Sequence, residues 1–417
     1  MTLTNKKKIV VIGGGPAGMM AGITASKNCR GVTLLEKTDS LGKKLLLTGN
    51  TRCNLTNNRD LDSFLQKYSK NAAFLRDAFK HFFNQSLIHF FKKRGLQCIA
   101  DPKKRVFPAT GKAESVLKIL KNELFKNKVS IFYNSPAQFI ISRKKQVVGI
   151  KLKNGKVISA NIVILATGGV SYPATGSTGD GFRLAKKLGH TIRPLKPGLV
   201  PLIAKEKYPS MLKGLSLQNV TVSISCGRHK TTSQKGEIIF TSQGVSGPLI
   251  LSISGKVSDL LIKNKLVKIK IDQFPDTSKE EFFIFLTKLL EKHASRTIKN
   301  TLKTILPQRL CDLFLKIHRI DKNKKSNRIT KKERLILAAE CKTFTLNISS
   351  CAKIASAMIT RGGITVKEID PRTMASLLTK GLYFAGEVID IDGDSGGYNL
   401  QEAFSTGYLA GVSAAKK

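Results

Sequence analysis

The stretch Gly13-Gly14-Gly15-Pro16-Ala17-Gly18 has the residue types and the spacing of a phosphate-binding turn. It follows an apolar run, Lys8 to Ile12, that reads as a buried parallel strand, and it opens a helix over Ala17 to Lys27. In that setting Gly13 allows the tight turn, Gly15 lets backbone amides approach a pyrophosphate, and Gly18 lets the helix pack close on the strand. Pro16 and Ala17 stand at the helix N-terminus, where the peptide dipoles stabilise negative charge. A second apolar run, Val32 to Glu36, completes a strand-helix-strand unit and ends in a carboxylate eighteen residues after Gly18. An acidic side chain at that point accepts hydrogen bonds from adenosine ribose hydroxyls and disfavours a 2′-phosphate. FAD or NAD is therefore expected here, and NADP is not.

The other end of the chain decides between the two. Gly381-Leu382-Tyr383-Phe384-Ala385-Gly386-Glu387 reads as a strand ending in an acidic residue, placed to reach the ribityl chain or the pyrophosphate side of FAD. An NAD dehydrogenase does not require it. Gly396-Gly397-Tyr398-Asn399-Leu400-Gln401 then leads into a helix over Glu402 to Ala410. The N-terminal dipole of that helix would sit at the flavin pyrimidine and stabilise the reduced, anionic ring. Both chain ends are expected to build one FAD site.

These groups must be positioned by a core, and 417 residues suffice for two or three domains at roughly 150 residues each. No apolar run approaches the roughly 18 residues of a membrane span, so no membrane partner is expected. Lys6-Lys7-Lys8 before an apolar run has the charge of a signal peptide, but Gly13, Gly14, Gly15, Pro16 and Gly18 interrupt the apolar region. Seven cysteines (Cys29, Cys53, Cys98, Cys226, Cys311, Cys341, Cys351) show no CxxC spacing, and an odd number suits neither a disulfide framework nor a zinc site. A cytoplasmic protein without a metal is expected.

Helical spacing runs from Asp62 to Gly95, where Leu75, Phe79, Phe82, Phe83, Leu87, Phe90 and Phe91 read as core and not as a base-stacking platform. Short β-type runs follow (Ser130 to Tyr133, Phe139 to Ser142, Val147 to Leu152, Lys156 to Ile158), with a hairpin turn at Asn154-Gly155. Ile162 to Ala166 returns the chain to the parallel sheet and opens a second tight loop at Thr167-Gly168-Gly169. Pro194, Pro197 and Pro201 mark a boundary. Beyond it Val220 to Ser225, Glu237 to Thr241, Leu249 to Ile253 and Val267 to Ile271 are expected as strands of a separate module. Residues 277 to 340 are expected as helices with Phe282, Phe285, Leu286, Leu289 and Leu290 on one face.

Charge is the second strong signal. The 71 Lys and Arg against 28 Asp and Glu leave a formal net charge of +43. Such a field steers and holds a partner with a phosphate backbone, and an enzyme for a small metabolite does not need it. Compositional drift towards lysine and asparagine would also raise the charge, but the acidic residues are depleted as well. Positive charge is dense in the helical stretch, where Lys322, Lys324, Lys325 and Arg328 are the expected phosphate contacts.

Further blocks carry a resemblance. They are Gly42-Lys43-Lys44-Leu45, Thr48-Gly49-Asn50-Thr51-Arg52-Cys53-Asn54-Leu55-Thr56-Asn57, Ala166-Thr167-Gly168-Gly169, Tyr172-Pro173 and Gly176-Ser177-Thr178-Gly179-Asp180-Gly181. Phe240-Thr241, Gly244-Val245-Ser246-Gly247-Pro248, Arg361-Gly362-Gly363 and the block from Gly386 to Gln401 complete the set. In these residues the sequence resembles the BaiN/RdsA-like flavoproteins, also described as the aminoacetone oxidase family of FAD-binding enzymes. Thr51 stands where the family pattern has glycine. The resemblance implies an α/β fold with a Rossmann-type FAD-binding domain, discontinuous over residues 1–193 and 355–417. An inserted β-barrel-like domain over 194–276 and a small, basic helical insert over 277–354 complete it.

The cofactor contacts it implies come from Gly13, Gly15, Pro16, Ala17, Gly18, Glu36, Lys37, Lys44, Gly49, Asn50, Arg52, Cys53, Asn54, Thr167, Gly168, Gly169, Gly386, Glu387, Asn399, Leu400 and Gln401. It implies NADH or NADPH as reductant. For the RdsA-like branch it implies reduction of a uridine in large-subunit (23S) ribosomal RNA to dihydrouridine; other branches act on amines or unsaturated steroid intermediates.

The charge favours the RNA branch. Reducing the uracil C5=C6 bond takes a hydride at C6 from flavin N5 and a proton at C5 from an acid. Cys53 is the expected acid, in a loop with Arg52, Asn50, Asn54, Thr56 and Asn57 suited to holding a flavin or a pyrimidine edge. A cysteine packed under the isoalloxazine is the alternative. The six histidines all lie outside the matched blocks. Two other classes stay open at this point: a small-molecule flavin oxidase or reductase, and a non-catalytic RNA-binding assembly factor that keeps FAD as a structural ligand.

Overall fold

A computed structural model describes residues 7–227, 229–230, 233–263 and 266–416. The chain divides into two units, one formed by the residues up to Gly198 together with those from Ile354 onward, the other by Leu199–Lys353.

The first unit is organised on a five-stranded parallel sheet in the order Leu382–Phe384, Ile162–Leu165, Ile9–Ile12, Val32–Leu35, Ser130–Phe132. Ile9 to Ile12 have partners on both sides and all four are buried. A strand covered on both faces has no solvent side, which is why its sequence is an unbroken apolar run. The helix Pro16–Ser26 follows, with Pro16 in the first turn, where its missing N–H leaves no helical bond unmade. Ala17 to Ala25 are all buried, and the C-terminal helix Tyr398–Ala415 lies against them through glycines. A methyl group at Gly407 would meet the Ala17 carbonyl oxygen at 2.3 Å.

Around this sheet the unit adds antiparallel pieces. Ala137–Arg143, Gln146–Leu152 and Val157–Ser159 form one small sheet, with Gly155 at φ 86 in the expected turn. Ile192–Gly198 pairs with Ile359–Ile364. The stretch expected as helical from Asp62 to Gly95 is broken into Leu61–Leu65, Ala72–Leu75, Arg76–His81 and Asn84–Lys92. Phe82, at φ −152 and ψ 85, takes the chain out of the helix so that it and Phe79 both reach the core. The helix Ala113–Lys126 is not among the expected elements, although Val116, Leu117, Leu120 and Leu124 are spaced for one buried face.

In the second unit one antiparallel sheet runs His229–Lys230, Ser216–Cys226, Gln234–Phe240, Gly244–Ser246, Leu202–Ala204, Phe344–Cys351, Val267–Asp272. The last strand returns to pair with Ser216–Cys226, so the sheet closes into a barrel. Its inward positions alternate as the pleat requires: Val222, Ile224, Ile269, Ile271, Leu346 and Ile348 are buried. Leu249 to Ile253, expected as a strand, belongs instead to the helix Pro248–Lys263. Leu249, Ile250, Ile253 and Val257 are buried at helical spacing, and a short apolar run does not by itself separate a buried strand from a buried helix.

The helices Lys279–Lys292, Ile298–Leu302, Gln308–Ile317 and Lys331–Thr343 share one core with the barrel. Phe282, Leu286 and Leu290 face that core, whereas Phe285 turns outward and is 44% exposed. Ser278 with Glu281 and Thr330 with Glu333 form capping boxes, which satisfy amides at the starts of two of these helices. Among the described residues no helix is long and apolar enough to cross a membrane, and no group of His, Cys, Asp or Glu is placed to hold a metal ion.

Candidate functional site

A doubly wound sheet binds its ligand outside the carboxyl ends of its strands. At that end of the first strand Gly13 takes φ 108, and a methyl group on it would meet the Ala166 carbonyl oxygen at 2.4 Å. One on Gly18 would overlap the Gly13 carbonyl oxygen at 1.8 Å. These two glycines exist to let backbone meet backbone. Gly15 differs, because a methyl group there would find nothing within 4 Å. Gly15 lines an open cleft at this end of the sheet.

Gly13, Gly15, Pro16, Ala17, Glu36, Lys37, Lys44, Thr167, Gly168, Gly386, Glu387, Asn399 and Leu400 line this cleft together. Both oxygens of Glu36 accept amide hydrogens, Oε2 from Gly14 and Oε1 from Thr38, each at 2.8 Å. A carboxylate offers about four acceptor sites, so capacity remains for ribose hydroxyls. Lys44 donates to both oxygens of Glu387 at 2.7 and 3.0 Å and to the Ser171 hydroxyl at 2.7 Å. The Thr360 amide donates to Glu387 Oε1 at 2.7 Å, so this carboxylate is fixed from two sides. Lys37 pairs with Asp180 at 2.8 Å and bonds Thr178. The C-terminal helix begins at Tyr398, after Gly397 at φ 97, and so earlier than the expected Glu402. Asn399 and Leu400 thereby fall in its first turn, where amides have no helical partner. The donor set fits a dinucleotide: open amides at two helix starts for anionic or carbonyl oxygens, and carboxylates for hydroxyls.

Other expected contacts do not line the cleft. Gly18 acts through packing, and Gly169 through its approach to Thr360, whose hydroxyl a methyl group would meet at 2.2 Å. Gln401 is fully buried, and its amide donates to the Phe82 carbonyl at 3.2 Å and to Ser405 Oγ at 2.8 Å. Successive residues on a helix point about 100° apart, so with Asn399 and Ala403 at the cleft it is Glu402 that lines it, not Gln401. The helical phase counted from Gly397 carries that signal. Thr48, Asp180, Met358 and Ile359 also line the cleft without having been named as contacts; Thr48 and Asp180 stand in two of the matched blocks, which was the available signal, whereas Met358 and Ile359 have no local pattern.

Gly49, Asn50, Arg52, Cys53 and Asn54 lie off the cleft as well. Cys53 is 0% exposed, and burial pushes its thiol up to about 12. A proton donor must reach the atom it protonates, and Cys53 has no surface from which to do so. Gly49, Asn50, Thr51 and Cys53 all have φ between 55 and 66. Thr51 therefore holds the angle of the glycine that the family pattern has there, a costly one for a β-branched residue. Asn54, with its amide turned to satisfy both sides, accepts from the Gly397 amide at 3.0 Å and donates to the Thr56 carbonyl at 3.0 Å. Arg52 is exposed and lies 4.9 Å from the Phe107 ring centroid. This loop holds the start of the C-terminal helix instead of facing the ligand space.

In the second unit the expected phosphate contacts separate. Lys324 is committed to Glu333, at 2.7 Å, while Lys322, Lys325 and Arg328 are exposed. Their segment is tied to residues 294–298 by hydrogen bonds from Ile298 to Lys324 and from Ser326 to Arg296, which brings the exposed Arg296 alongside.

The family described as HI0933-like protein Rossmann domain matches residues 7–413. A 3-dehydro-bile acid delta(4,6)-reductase of Clostridium scindens is 32% identical over 98% of this chain and 99% of its own. The ribosomal RNA dihydrouridine synthase of Haemophilus influenzae is 28% identical over 98% of each chain, and that of Escherichia coli 29% identical over 96% of each. A solved 3-ketosteroid-delta4-(5alpha)-dehydrogenase from Rhodococcus jostii covers 100% of this chain and 99% of its own with a TM-score of 0.50 at 18% identity, a likeness of fold. With a dinucleotide cleft assembled from both chain ends and relatives that match from end to end, the chain belongs to the HI0933-like Rossmann family and is an FAD-binding, flavin-dependent oxidoreductase.

Proposed function

We propose that the protein uses NADH or NADPH, through FAD, to reduce a uridine of large-subunit ribosomal RNA to dihydrouridine. The names of the relatives point to one shared chemistry, reduction of a carbon–carbon double bond, and differ in the substrate that carries it. The observation that chooses between them is the net charge of +43, which suits a substrate embedded in phosphate. In this reading Gly15 and the first-turn amides hold the pyrophosphate, Glu36 the adenosine ribose, and Glu387, braced by Lys44, the ribityl chain. Asn399 and Leu400 offer amides to the flavin ring. FAD supplies hydride transfer to the carbon β to the carbonyl. Cys53 packs in the core, and the proton for the neighbouring carbon comes from another group or from water.

The 32% identity to a bile acid reductase over almost the whole chain supports a second reading, in which a small unsaturated ketone takes the place of uridine. One experiment separates them. Enzyme pre-reduced without oxygen is mixed with ribosomal RNA from cells lacking the protein, or with an unsaturated 3-ketosteroid, and flavin absorbance is followed while the RNA is analysed for dihydrouridine by mass spectrometry. Fast reoxidation by RNA with dihydrouridine formed supports the first reading; reoxidation by the steroid alone refutes it.

A further inference from the structure

Exposed aromatic rings gather on one part of the first unit. Among the described residues the exposed Phe and Tyr side chains are Phe125, Phe132, Tyr133 and Phe139, with Phe285 alone lying elsewhere. The same stretch of chain is free of acid: from Leu124 to Gly179 there are eight Lys and Arg and no Asp or Glu. The small antiparallel sheet aligns part of it. Phe139 stands opposite Lys151, and Lys151 opposite Val157, so the three side chains share one face. All three are exposed, whereas their strand neighbours Ile140, Ile150 and Leu152 are buried. Lys187 brings its ammonium 3.9 Å from the Phe139 ring centroid, and Lys156 brings its own 5.5 Å from that of Phe132. The Glu36 amide donates to the Phe132 carbonyl at 2.9 Å, and Ser135 and Ala137 line the cleft, so this surface begins at the Glu36 end of it.

We propose that this surface binds a single-stranded stretch of RNA, whose bases stack on the Phe132 and Phe139 rings while its phosphates meet Lys151, Lys156 and Lys187. Exposed rings interleaved with lysines suit an unpaired strand, because every base has a face to stack and every link carries a charge. A duplex hides its base faces and would use the lysines alone. A second copy of the chain is a poor occupant, since a two-fold contact would press this acid-free surface against itself. The inference rests on the RNA reading above and extends it. With Glu36 at the adenosine end of the cleft, the strand held here flanks the uridine, and the reacting base lies at the flavin end.

A fluorescent, unstructured RNA oligonucleotide and a duplex RNA of the same length are titrated by anisotropy with three FAD-loaded proteins. These are the parent, a variant with Phe132→Leu and Phe139→Leu, and a variant with Lys151→Gln, Lys156→Gln and Lys187→Gln. The Leu variant keeps its apolar bulk, so its FAD content and melting temperature should stay close to the parent's. It should bind the single strand about tenfold or more weakly, the scale of lost base stacking, and the duplex as before. The Gln variant should lower the slope of log affinity against log salt by about 0.7 per lost contact on the single strand. Parental single-strand affinity in the Leu variant, or equal weakening of single strand and duplex, overturns the proposal. So does a dimer of the parent, or its attachment to vesicles of anionic lipid, that the Leu variant loses while keeping its RNA affinity. Should the Leu variant fail to fold, the slope in the Gln variant decides, and an unchanged slope overturns the proposal. A parent that binds neither RNA sinks the RNA reading itself, whereas a parent and variants that bind RNA alike exclude only this surface.

Discussion

Gly15 offers a test in which folding and cofactor binding come apart. It stands at the start of the first helix with φ −78 and ψ −178, extended backbone that any residue adopts, and a methyl group there has no neighbour within 4 Å. Gly15→Val therefore adds a Cβ that meets nothing, and its net effect on the fold is small, because restricting the unfolded chain stabilises by about 0.4–1 kcal/mol while valine is a poorer helix N-cap than glycine by a similar amount. The same side chain fills the approach to the first-turn amides. Hydrogen bonds from amides to a charged group contribute about 1.5–3 kcal/mol each, so losing two costs about 3–6 kcal/mol, roughly a hundredfold to ten-thousandfold in FAD affinity. The assay is FAD titration of the stripped protein, with melting of the FAD-free forms because bound ligand itself raises the melting temperature. The variant should purify colourless and melt close to the FAD-free parent. Gly18→Ala serves as the contrast, since its methyl group overlaps a carbonyl oxygen at 1.8 Å and damages the fold before any ligand is present. A yellow Val variant with parental affinity, or one that melts well below the FAD-free parent, refutes the reasoning.

Three further outcomes are expected. Cys53→Ala should leave FAD binding and reoxidation by substrate unchanged and lower the melting temperature through loss of about 1 kcal/mol of packing; a rate loss of about a hundredfold would restore the acid role. Replacing Lys322, Lys325 and Arg328 by Gln should lower the slope of log RNA affinity against log salt by about 0.7–0.9 per contact, with FAD retained; an unchanged slope would make these residues solvated charge only. His190 is buried, with Nδ1 3.1 Å from Glu368 and Nε2 2.9 Å from Ser376, and burial lowers its pKa below 6.5. The unfolded chain then binds the proton that the folded one refuses, so stability should fall as pH drops through 6.5, and His190→Asn should flatten that fall in melting curves between pH 7.5 and about 5.5.

The parts of the site that were legible in the sequence are those where a local steric or burial demand selects the residue. Gly13 and Gly18 answer backbone contacts that admit no side chain, and Ile9 to Ile12 answer burial on both faces. Glu36 was legible because it ends a strand at a fixed offset. What stayed illegible depends on phase or on distant packing. Gln401 and Glu402 are adjacent polar residues, and only the start of the helix at Tyr398 tells which one meets the cleft. Cys53 sits in a polar stretch, yet tertiary packing seals it to 0% exposure. Leu249 to Ile253 satisfied strand and helix alike until Gly247, at φ 95, and Pro248 were seen to open a helix.

Cofactor and substrate are thus encoded in different ways. The FAD cleft draws on the glycine turn, the Lys44 segment, the Thr167-Gly168 loop and the C-terminal helix, all within the first unit, and its demands are geometric. A one-residue change of phase or one methyl group in the wrong place is enough to break it. Positive charge, by contrast, runs through both units and needs no exact placement to act, because attraction to a phosphate backbone is long-ranged and comes largely from released counterions. A family can therefore keep its flavin chemistry while its members diverge in substrate, since charge at the surface changes without touching the cleft. Relatives of similar identity then carry names as different as a bile acid reductase and a ribosomal RNA dihydrouridine synthase. Identity near 30% establishes the family and its flavin chemistry without specifying the substrate, and this chain carries a net +43.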